Sequence, residues 1–566
     1  MKFLKKLFHL FIQPRLLYFY ILFAILVPNV ALCFTEDYGI GTILCNLLVP
    51  TSVYAYLLTV KRRPGLMAWL LFPFIFLSAF QLVLLYLFGN SIIAVDMFLN
   101  LVTTNASEAL ELLDNLVPAV VGVFVLYVPL LIFSAFSIRR KDRLSESLTK
   151  KLRKGALVGG LMSAVSLGAA YSTEDFEMKV DIFPFNVCYN CYLAFERTED
   201  VARYKETSRD FSFEAKPTHD AEQPEVYVFV IGETSRACNW GLYGYERNTT
   251  PRLQQQNGVV AFSDVLTQSN TTHKSVPLLL SLASAENYDR IYHEKSVITA
   301  FKEAGFYTAY FSNQKYNHAF IDLFGMEADQ SVFLKEEGKP NRNIHDGELL
   351  GLVDGLLAKG HRKLLIVLHT YGSHFNYKER YPSSAAVFLP DNATEASPKN
   401  RASLINAYDN TICQTDVFLS ELISRLEVKG GVAAMIYTSD HGEDIFDDGR
   451  EQFLHSSPVP SYYQLHVPFI IWTSRDFEES YPQLKRQIVE NQDKAVSSNA
   501  SVVPTLLEMA GLDTPYRMDS LSLCNAHYGI TQRFYVNDHN LPKPYDDIGL
   551  DEEDFEMMSK MKLRCP

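Results

Sequence analysis

Val432-Ala-Ala-Met-Ile-Tyr-Thr438, running directly into Ser439-Asp-His-Gly-Glu-Asp444, decides the fold of this chain. A short run so rich in apolar residues reads as a strand buried on both faces, the habit of a parallel sheet covered by helices. An acid and an imidazole placed where such a strand ends point into the crevice at the carboxyl edge of the sheet, where two metal ligands can meet. The pattern occurs twice upstream: Val228-Phe-Val-Ile-Gly232 delivers Glu233, and Leu364-Leu-Ile-Val-Leu368 delivers His369 and, after a short turn, His374. One capped strand or one satisfied histidine would mean little. Three strand ends converging on acids and imidazoles predict a metal-dependent hydrolase or transferase site.

Outward from that core, a chain of 566 residues is too long for one hydrophobic centre and predicts at least two domains. Apolar blocks near Leu16–Phe34, Gly39–Val60, Gly65–Phe88, Leu116–Phe136 and Gly155–Tyr171 each approach the roughly 20 residues a membrane helix needs. The expected organisation is a five-helix membrane domain over 1–172, with an interfacial loop at 89–115, a connector over 173–225, and a catalytic α/β domain with a mostly parallel sheet over 226–566. Lys2, Lys5, Lys6 and Arg15 precede the first block, Lys61, Arg62 and Arg63 follow the second, and a basic cluster from Arg139 to Lys154 separates the fourth from the fifth. Segments 35–38 and 89–115 contain no Lys or Arg. By the positive-inside rule the N-terminus is cytoplasmic and the residues after 172 lie outside.

Residues 1–172 carry a net charge of +7 and the remainder −20. So acidic an outer part argues against nucleic acid as a partner. Cys188, Cys191, Cys238, Cys413, Cys524 and Cys565 fall in that part, where disulfides can persist. Cys188-Tyr-Asn-Cys191 has no second pair to complete a zinc site and reads as a local disulfide or two buried thiols. In the loop between the third and fourth blocks, Asn100, Thr104 and Glu108 recur every four residues and would line one helix face. That face is either the wet side of an interfacial helix or a surface for a lipid head group.

Thr267-Gln-Ser-Asn-Thr-Thr-His-Lys-Ser-Val-Pro277 is a polar turn entering an apolar helix, and Pro277 is expected in its first turn. A hydroxyl at such a helix start sees unpaired amides that stabilise an alkoxide and an attached phosphoryl group. Thr272 is one candidate among several hydroxyls, an N-cap being the alternative role. An alcohol near neutral pH needs a base or a metal to attack. Glu233, Asp440 and His441 supply three ligands of a tetrahedral zinc site and leave the fourth position for Thr272. His374 and His455 remain as donors to the oxygens of a transferring phosphoryl group, or as ligands of a second metal.

Six segments in order, IGETSR at 231–236, GYERNTTPRL at 244–253, TTHKSVP at 271–277, HTYGSH at 369–374, SDHGED at 439–444 and FLHSSP at 453–458, resemble the bacterial phosphoethanolamine transferases of the alkaline-phosphatase/sulfatase superfamily. That group includes the lipid A modifying enzymes behind polymyxin resistance. The resemblance covers nearly the whole chain. It implies an inner-membrane enzyme, expected to be monomeric, with a periplasmic catalytic domain. Phosphatidylethanolamine would be its donor, and lipid A, a core sugar or another periplasmic glycan its acceptor.

Residue by residue, the resemblance makes Thr272 the nucleophile and Glu233, Asp440 and His441 its zinc partners. It places His374 and His455 at the phosphoryl group or a second zinc, and His369 at the donor. Asn100, Thr104 and Glu108 would face the head group. Where many members carry a substrate-contacting Lys, the stretch Asn313-Gln-Lys-Tyr-Asn-His318 puts His318, with Asn313 beside it as a further contact. Positions that hold disulfide-forming cysteines in lipid A members are Gln268 and Leu278 here, so that bridge is absent. The alternative reading is a related phosphodiesterase, sulfatase or polyol-phosphate transferase. The turn at 267–277 lacks the C/S-x-P-x-R context of a sulfatase nucleophile.

Overall fold

The computed structural model describes residues 12–89, 91–103, 106–174, 176–219, 224–316, 319–335, 344–393 and 395–564. The chain divides into two units, Met1–Glu196 and Arg197–Pro566.

The first unit is helical: α1 (Pro14–Thr35), α2 (Ile40–Leu57), α3 (Pro64–Leu70), α4 (Phe72–Phe88), α5 (Val95–Thr103), α6 (Ala106–Arg140), α7 (Glu146–Thr173) and the start of α8 (Phe185–Thr207). Among the described residues, four stretches, Pro14–Thr35, Ile40–Leu57, Val117–Arg140 and Glu146–Thr173, are long and apolar enough to cross a membrane, and the pair α3 and α4 makes a fifth if counted as one span. That third span, continuous by its hydropathy, bends by 67°. Pro73, in the first turn of α4, has no N–H to continue the ladder from α3. Inside the unit Asn29 Nδ2 donates to Asn46 Oδ1 at 2.9 Å, and Asn46 Nδ2 returns a bond to the Asn29 carbonyl at 3.0 Å. Such reciprocal amides satisfy polar groups that lipid cannot. The side chains of Asn100 and Glu108, and Thr104 altogether, lie outside the described residues, as do His318 and Cys565. Much of the segment expected as a connector is helical, in α8.

The second unit contains β1 (Glu225–Gly232), β2 (Val259–Phe262), α9 (Thr272–Leu280), β3 (Tyr307–Lys315), β4 (Gln330–Lys335), β5 (Lys363–His369), α10 (Arg401–Lys429), β6 (Val432–Ser439), β7 (Phe469–Thr473) and α11 (Ser498–Met509). Seven strands form one sheet in the order β2-β7-β6-β1-β5-β3-β4. β7 is antiparallel to β2 and β6, and the remaining neighbours are parallel. Alternation along β1 feeds two cores: Tyr227, Phe229 and Ile231 pack with residues of α9 and α11, while Val226, Val228 and Val230 pack with residues of α10. Each fully buried Val or Ile contributes about 1.5–3 kcal/mol, so both faces favour an uninterrupted apolar strand. The chain is therefore an N-terminal set of apolar helices followed by an α/β unit with a mostly parallel sheet.

Candidate active site

The register of the central strands brings the three predicted strand ends together. Ile231 is the ladder partner of His369, and Gly232 that of Ser439, so Glu233 and the Asp440-His441 pair leave adjacent strands at one edge of the sheet. The loop after β5 then folds back over β1. Gly372 has φ +48°, and a Cβ there would stand 2.5 Å from the Glu233 carbonyl oxygen, so only glycine permits this approach. The Ser373 N–H donates to that carbonyl at 2.9 Å.

Ligand atoms of Glu233, Asp440 and His441 lie within 4.8 Å of one another, and all three residues are buried. His441 Nδ1 sits 2.9 Å from the Gly442 carbonyl, which can only accept. Its Nδ1 therefore carries the proton, and the Nε2 lone pair faces Asp440 Oδ2 at 3.3 Å and Glu233 Oε1 at 3.7 Å. Burial lowers the His441 pKa to about 4, which keeps that lone pair free. Asp440 Oδ1 accepts the Thr234 and His441 amides at 3.1 and 2.7 Å. Its Oδ2 is buried without a hydrogen-bond partner among the described residues. Burial, reinforced by the Asp440 charge, pushes the Glu233 carboxyl well above its usual range. Two crowded carboxylates, one bearing an orphaned oxygen, beside an imidazole lone pair form a donor set that fits zinc.

Thr272 completes the cluster: its Oγ1 is 3.0 Å from His441 Nε2 and 3.2 Å from Glu233 Oε1. It is the first residue of α9, and the N-cap is Thr271, whose side chain makes no cap bond. The helix starts earlier than the position of Pro277 suggests. Pro277 is its sixth residue and not part of the first turn, because backbone bonds from Lys274 and Ser275 to the Thr271 carbonyl already close that turn.

The imidazoles form a second side. The His455 ring centroid is 4.2 Å from that of His441 and 5.9 Å from that of His374. His374 Nδ1 is 2.6 Å from the Phe375 carbonyl, and His455 Nδ1 is 3.4 Å from Glu443 Oε2. Burial lowers the His455 pKa to about 4, and burial followed by the neighbouring His455 holds His374 well below its ordinary value. Both rings are thus neutral. With Nδ1 protonated toward its oxygen, His374 presents a lone pair at Nε2, which suits a proton acceptor or a metal ligand. Of the two expected roles, donor to phosphoryl oxygens or ligand of a second metal, the second uses that lone pair.

Two expected substrate contacts are placed differently. Asn313 is fully buried, its amide donating to Asp346 Oδ1 at 2.8 Å and to the Ile344 carbonyl at 3.0 Å. Asp346 in turn accepts the Tyr371 and Gly372 amides at 2.8 and 3.0 Å, so Asn313 supports the loop after β5 from behind. His369 is 1% exposed and pairs through Nδ1 with the Tyr310 hydroxyl at 3.1 Å, in the floor of the site. The Cys188 and Cys191 thiols are free, and Cys188 is exposed rather than buried.

Sequence reading overlooked two residues. Gln314 Nε2 donates to Glu233 Oε2 at 3.2 Å and to the Thr370 carbonyl at 2.9 Å. The signal was strand alternation, since the residue after Asn313 faces the other way. Asn499, at the start of α11, grips both sides of the Thr272 turn. Its Oδ1 accepts from the Gln268 amide at 2.7 Å and lies 3.0 Å from the Thr267 hydroxyl oxygen, and its Nδ2 donates to the Ser275 carbonyl at 3.0 Å and hydroxyl at 2.8 Å. The Thr267 and Ser275 hydroxyls both donate to the Asp440 carbonyl at 2.6 Å. The Asn499 amide thus ties the two sides of the turn to each other, and the two hydroxyls tie them to the backbone of Asp440.

Residues 225–512, about half the chain and spanning every residue of this cluster, match the family model described as Sulfatase. The chain belongs to the sulfatase family. Within that family it is 30% identical over 323 residues to the Kdo(2)-lipid A phosphoethanolamine 7''-transferase of Escherichia coli strain K12, an alignment covering 54% of this chain and 55% of that protein. The chain thus spans about half the length of the curated relatives it matches. The integral membrane lipooligosaccharide phosphoethanolamine transferase A of Neisseria meningitidis shares its fold over 90% of this chain and 98% of that one, with a TM-score of 0.69 at 22% identity. The C-terminal periplasmic domain of EcEptC from Escherichia coli, solved in complex with Zn, superposes with a TM-score of 0.55 at 24% identity, covering 61% of this chain and 98% of that domain. Sulfatase-family membership fixes the scaffold.

Proposed function

We propose that the protein transfers phosphoethanolamine from phosphatidylethanolamine, through a phosphoethanolamine-threonine intermediate at Thr272, to a cell-envelope acceptor such as lipid A or another lipopolysaccharide or glycan group. The observation that carries this reading is the position of Thr272 Oγ1, 3.0 Å from the His441 lone pair and 3.2 Å from the Glu233 carboxylate. The name of the Escherichia coli relative supports the transferred group. The apolar helices of the first unit support a multi-pass protein of the bacterial inner membrane, with its N-terminus cytoplasmic and its catalytic unit in the periplasm.

Zinc is the proposed cofactor, held by Glu233, Asp440 and His441; when bound it would supply the positive charge that makes an alcohol at this point acidic enough to attack. The Thr272 hydroxyl is oriented toward Glu233 Oε1, which receives its proton as Oγ1 attacks phosphorus. A bond from Oγ1 to phosphorus forms and the bond from phosphorus to the glycerol oxygen breaks. The proton ends on the departing diacylglycerol. In the second half an acceptor oxygen attacks the same phosphorus, its proton is taken by the lone-pair side of His374 or His455, and Thr272 leaves and is reprotonated. Asn100, Thr104, Glu108 and His318 stay assigned to substrate contact on the resemblance alone.

The test is mass analysis of the full-length protein after incubation with phosphatidylethanolamine. A mass increment of one phosphoethanolamine on Thr272, absent from Thr272→Ala, is expected. An unmodified wild-type protein, or an equally modified variant, overturns the reading. Parallel incubation with phosphatidylglycerol separates it from a polyol-phosphate transferase.

A further inference from the structure

His455 lies in a segment whose backbone is strained and whose two ends meet at one residue of the C-terminal tail. Asp444–Ile445 pairs with Phe453–Leu454 as a short hairpin, and beyond its tip Glu451, Leu454 and Ser456 have φ of 51°, 70° and 64°. Side chains other than glycine avoid that region, a leucine above all, and stay there only where surrounding bonds hold them. The contact of His455 Nδ1 with Glu443 Oε2 is long, at 3.4 Å, so the ring follows its backbone. Its place beside His441 therefore depends on what holds the segment.

The inner side of the segment is bonded to the turn before Thr272. The Ser456 amide donates to the Asn270 carbonyl at 3.3 Å, and Asn270 Nδ2 donates to the Ser457 carbonyl at 2.8 Å. The outer side is bonded to the tail. Asp554, in helix α12 (Glu552–Lys560), is fully buried and its carboxylate accepts four bonds. Oδ1 accepts from Arg450 Nη2 and from the Tyr462 amide, each at 2.8 Å. Oδ2 accepts from Arg450 Nη1 at 2.6 Å and from the Asp551 amide at 3.0 Å, the latter bond capping α12. Asp448 holds the same guanidinium from within the hairpin, 2.6 Å from Nη2. Arg450 precedes His455 and Tyr462 follows it, so one carboxylate closes both ends of segment 450–462. Tyr462 and Leu465 share an apolar cluster with Tyr545, Met558 and Leu563, which seats the tail against this segment.

The plain alternative is a helix cap that happens to meet a surface ion pair. Burial argues against it, because the Arg450 side chain is 18% exposed and that of Asp554 0%. Desolvation largely offsets the attraction within such a pair, and its best-attested use is to fix one arrangement of the chain. We infer that Asp554 and Arg450 are positioning residues for His455, so that the C-terminal helix belongs to the catalytic machinery. The step affected rests on the two-step transfer proposed above, whereas the placement of the segment does not. In the second half of that transfer the bond from the acceptor oxygen to phosphorus forms and the bond from Thr272 Oγ1 breaks. The acceptor's proton passes through an imidazole to Oγ1. With His455 displaced, the adduct on Thr272 forms normally and decays slowly.

The test uses zinc-loaded full-length protein in detergent. Asp554→Ala is compared with Asp547→Ala, which removes an equal charge from the exposed pair of Asp547 with Lys543. Amide hydrogen exchange across 450–462 is expected to quicken about tenfold in Asp554→Ala, while β1 and α9 keep their protection. After a pulse of phosphatidylethanolamine, the Thr272 adduct should form within about twofold of the wild-type rate and decay, to added lipid A or to water, about tenfold more slowly. Unchanged exchange across 450–462 overturns the inference, as does an equal rise in every segment or in Asp547→Ala. An adduct that decays at the wild-type rate does so too. Should Asp554→Ala fail to fold, Arg450→Lys carries the comparison. Lysine keeps the charge and spares the cap of α12, but cannot bridge Asp448 and Asp554 with a planar fork. If the wild type gains no adduct, the transferase reading fails and the exchange measurement alone decides the placement.

Discussion

Around Glu233, Asp440 and His441 almost every polar atom is held by backbone amides, carbonyls or buried hydroxyls, whereas around His374 the groups Tyr371, Lys335 and Arg380 meet largely through ring faces. The first side is close to fully buried, and the second is partly open. On the second side Arg380 is also bonded to backbone, at the His374 and Phe375 carbonyls, so the contrast lies in the ring contacts of Tyr371 with His374 and Lys335. On the proposed mechanism, the first side holds the groups of the chemical step.

The comparison breaks most sharply at Thr272, the proposed nucleophile. Thr272→Ala should lower transfer by about a thousandfold or more, because groups acting as a unit lose nearly everything when one is removed. Residual activity above that level, followed by product formation from a lipid donor, would move the chemistry elsewhere. Next in size, Asp440→Asn should lose zinc, since it replaces the orphaned carboxylate oxygen with a neutral group. Metal analysis after dialysis reads this directly, and full retention would disprove the ligand set.

Asn499→Ala tests whether the buried side needs its clamp. It leaves the Gln268 amide and the Ser275 hydroxyl short of a partner at a cost of about 2–3 kcal/mol, measurable by denaturation of the full-length protein. The turnover number should fall about ten- to a hundredfold with KM little changed, because the clamp aligns Thr272 without touching substrate. An equal rise in KM would point to general loosening. The smallest effect is expected from Gln314→Ala, which removes a second bond from Glu233 Oε2 and should weaken zinc binding about tenfold. A zinc affinity unchanged in that variant would reduce Gln314 to a neighbour.

The strand ends are legible in sequence because a doubly buried parallel strand is written as a continuous apolar run, and the residues just beyond such a run must lie at the sheet edge. Glu233, His369, Asp440 and His441 stand out in that way, and Thr272 by the polar turn before an apolar helix. Asn499 is not legible: its bonds to residues 267, 268 and 275 cross more than two hundred positions, and an asparagine near a helix start looks like any capping residue. Asn313 stands out by residue type alone, while its burial behind Asp346 comes from the packing of a loop. The bend in the third apolar span is written in Pro73, but the hydropathy of the block masks it.

Asn499 also bears on how the protein is made. A turn aligned by an amide, among described cysteines that are all free, owes nothing to an oxidising catalyst for its geometry. Production of active protein should therefore tolerate dithiothreitol, and a host strain lacking its thiol oxidase should still assemble the nucleophile correctly.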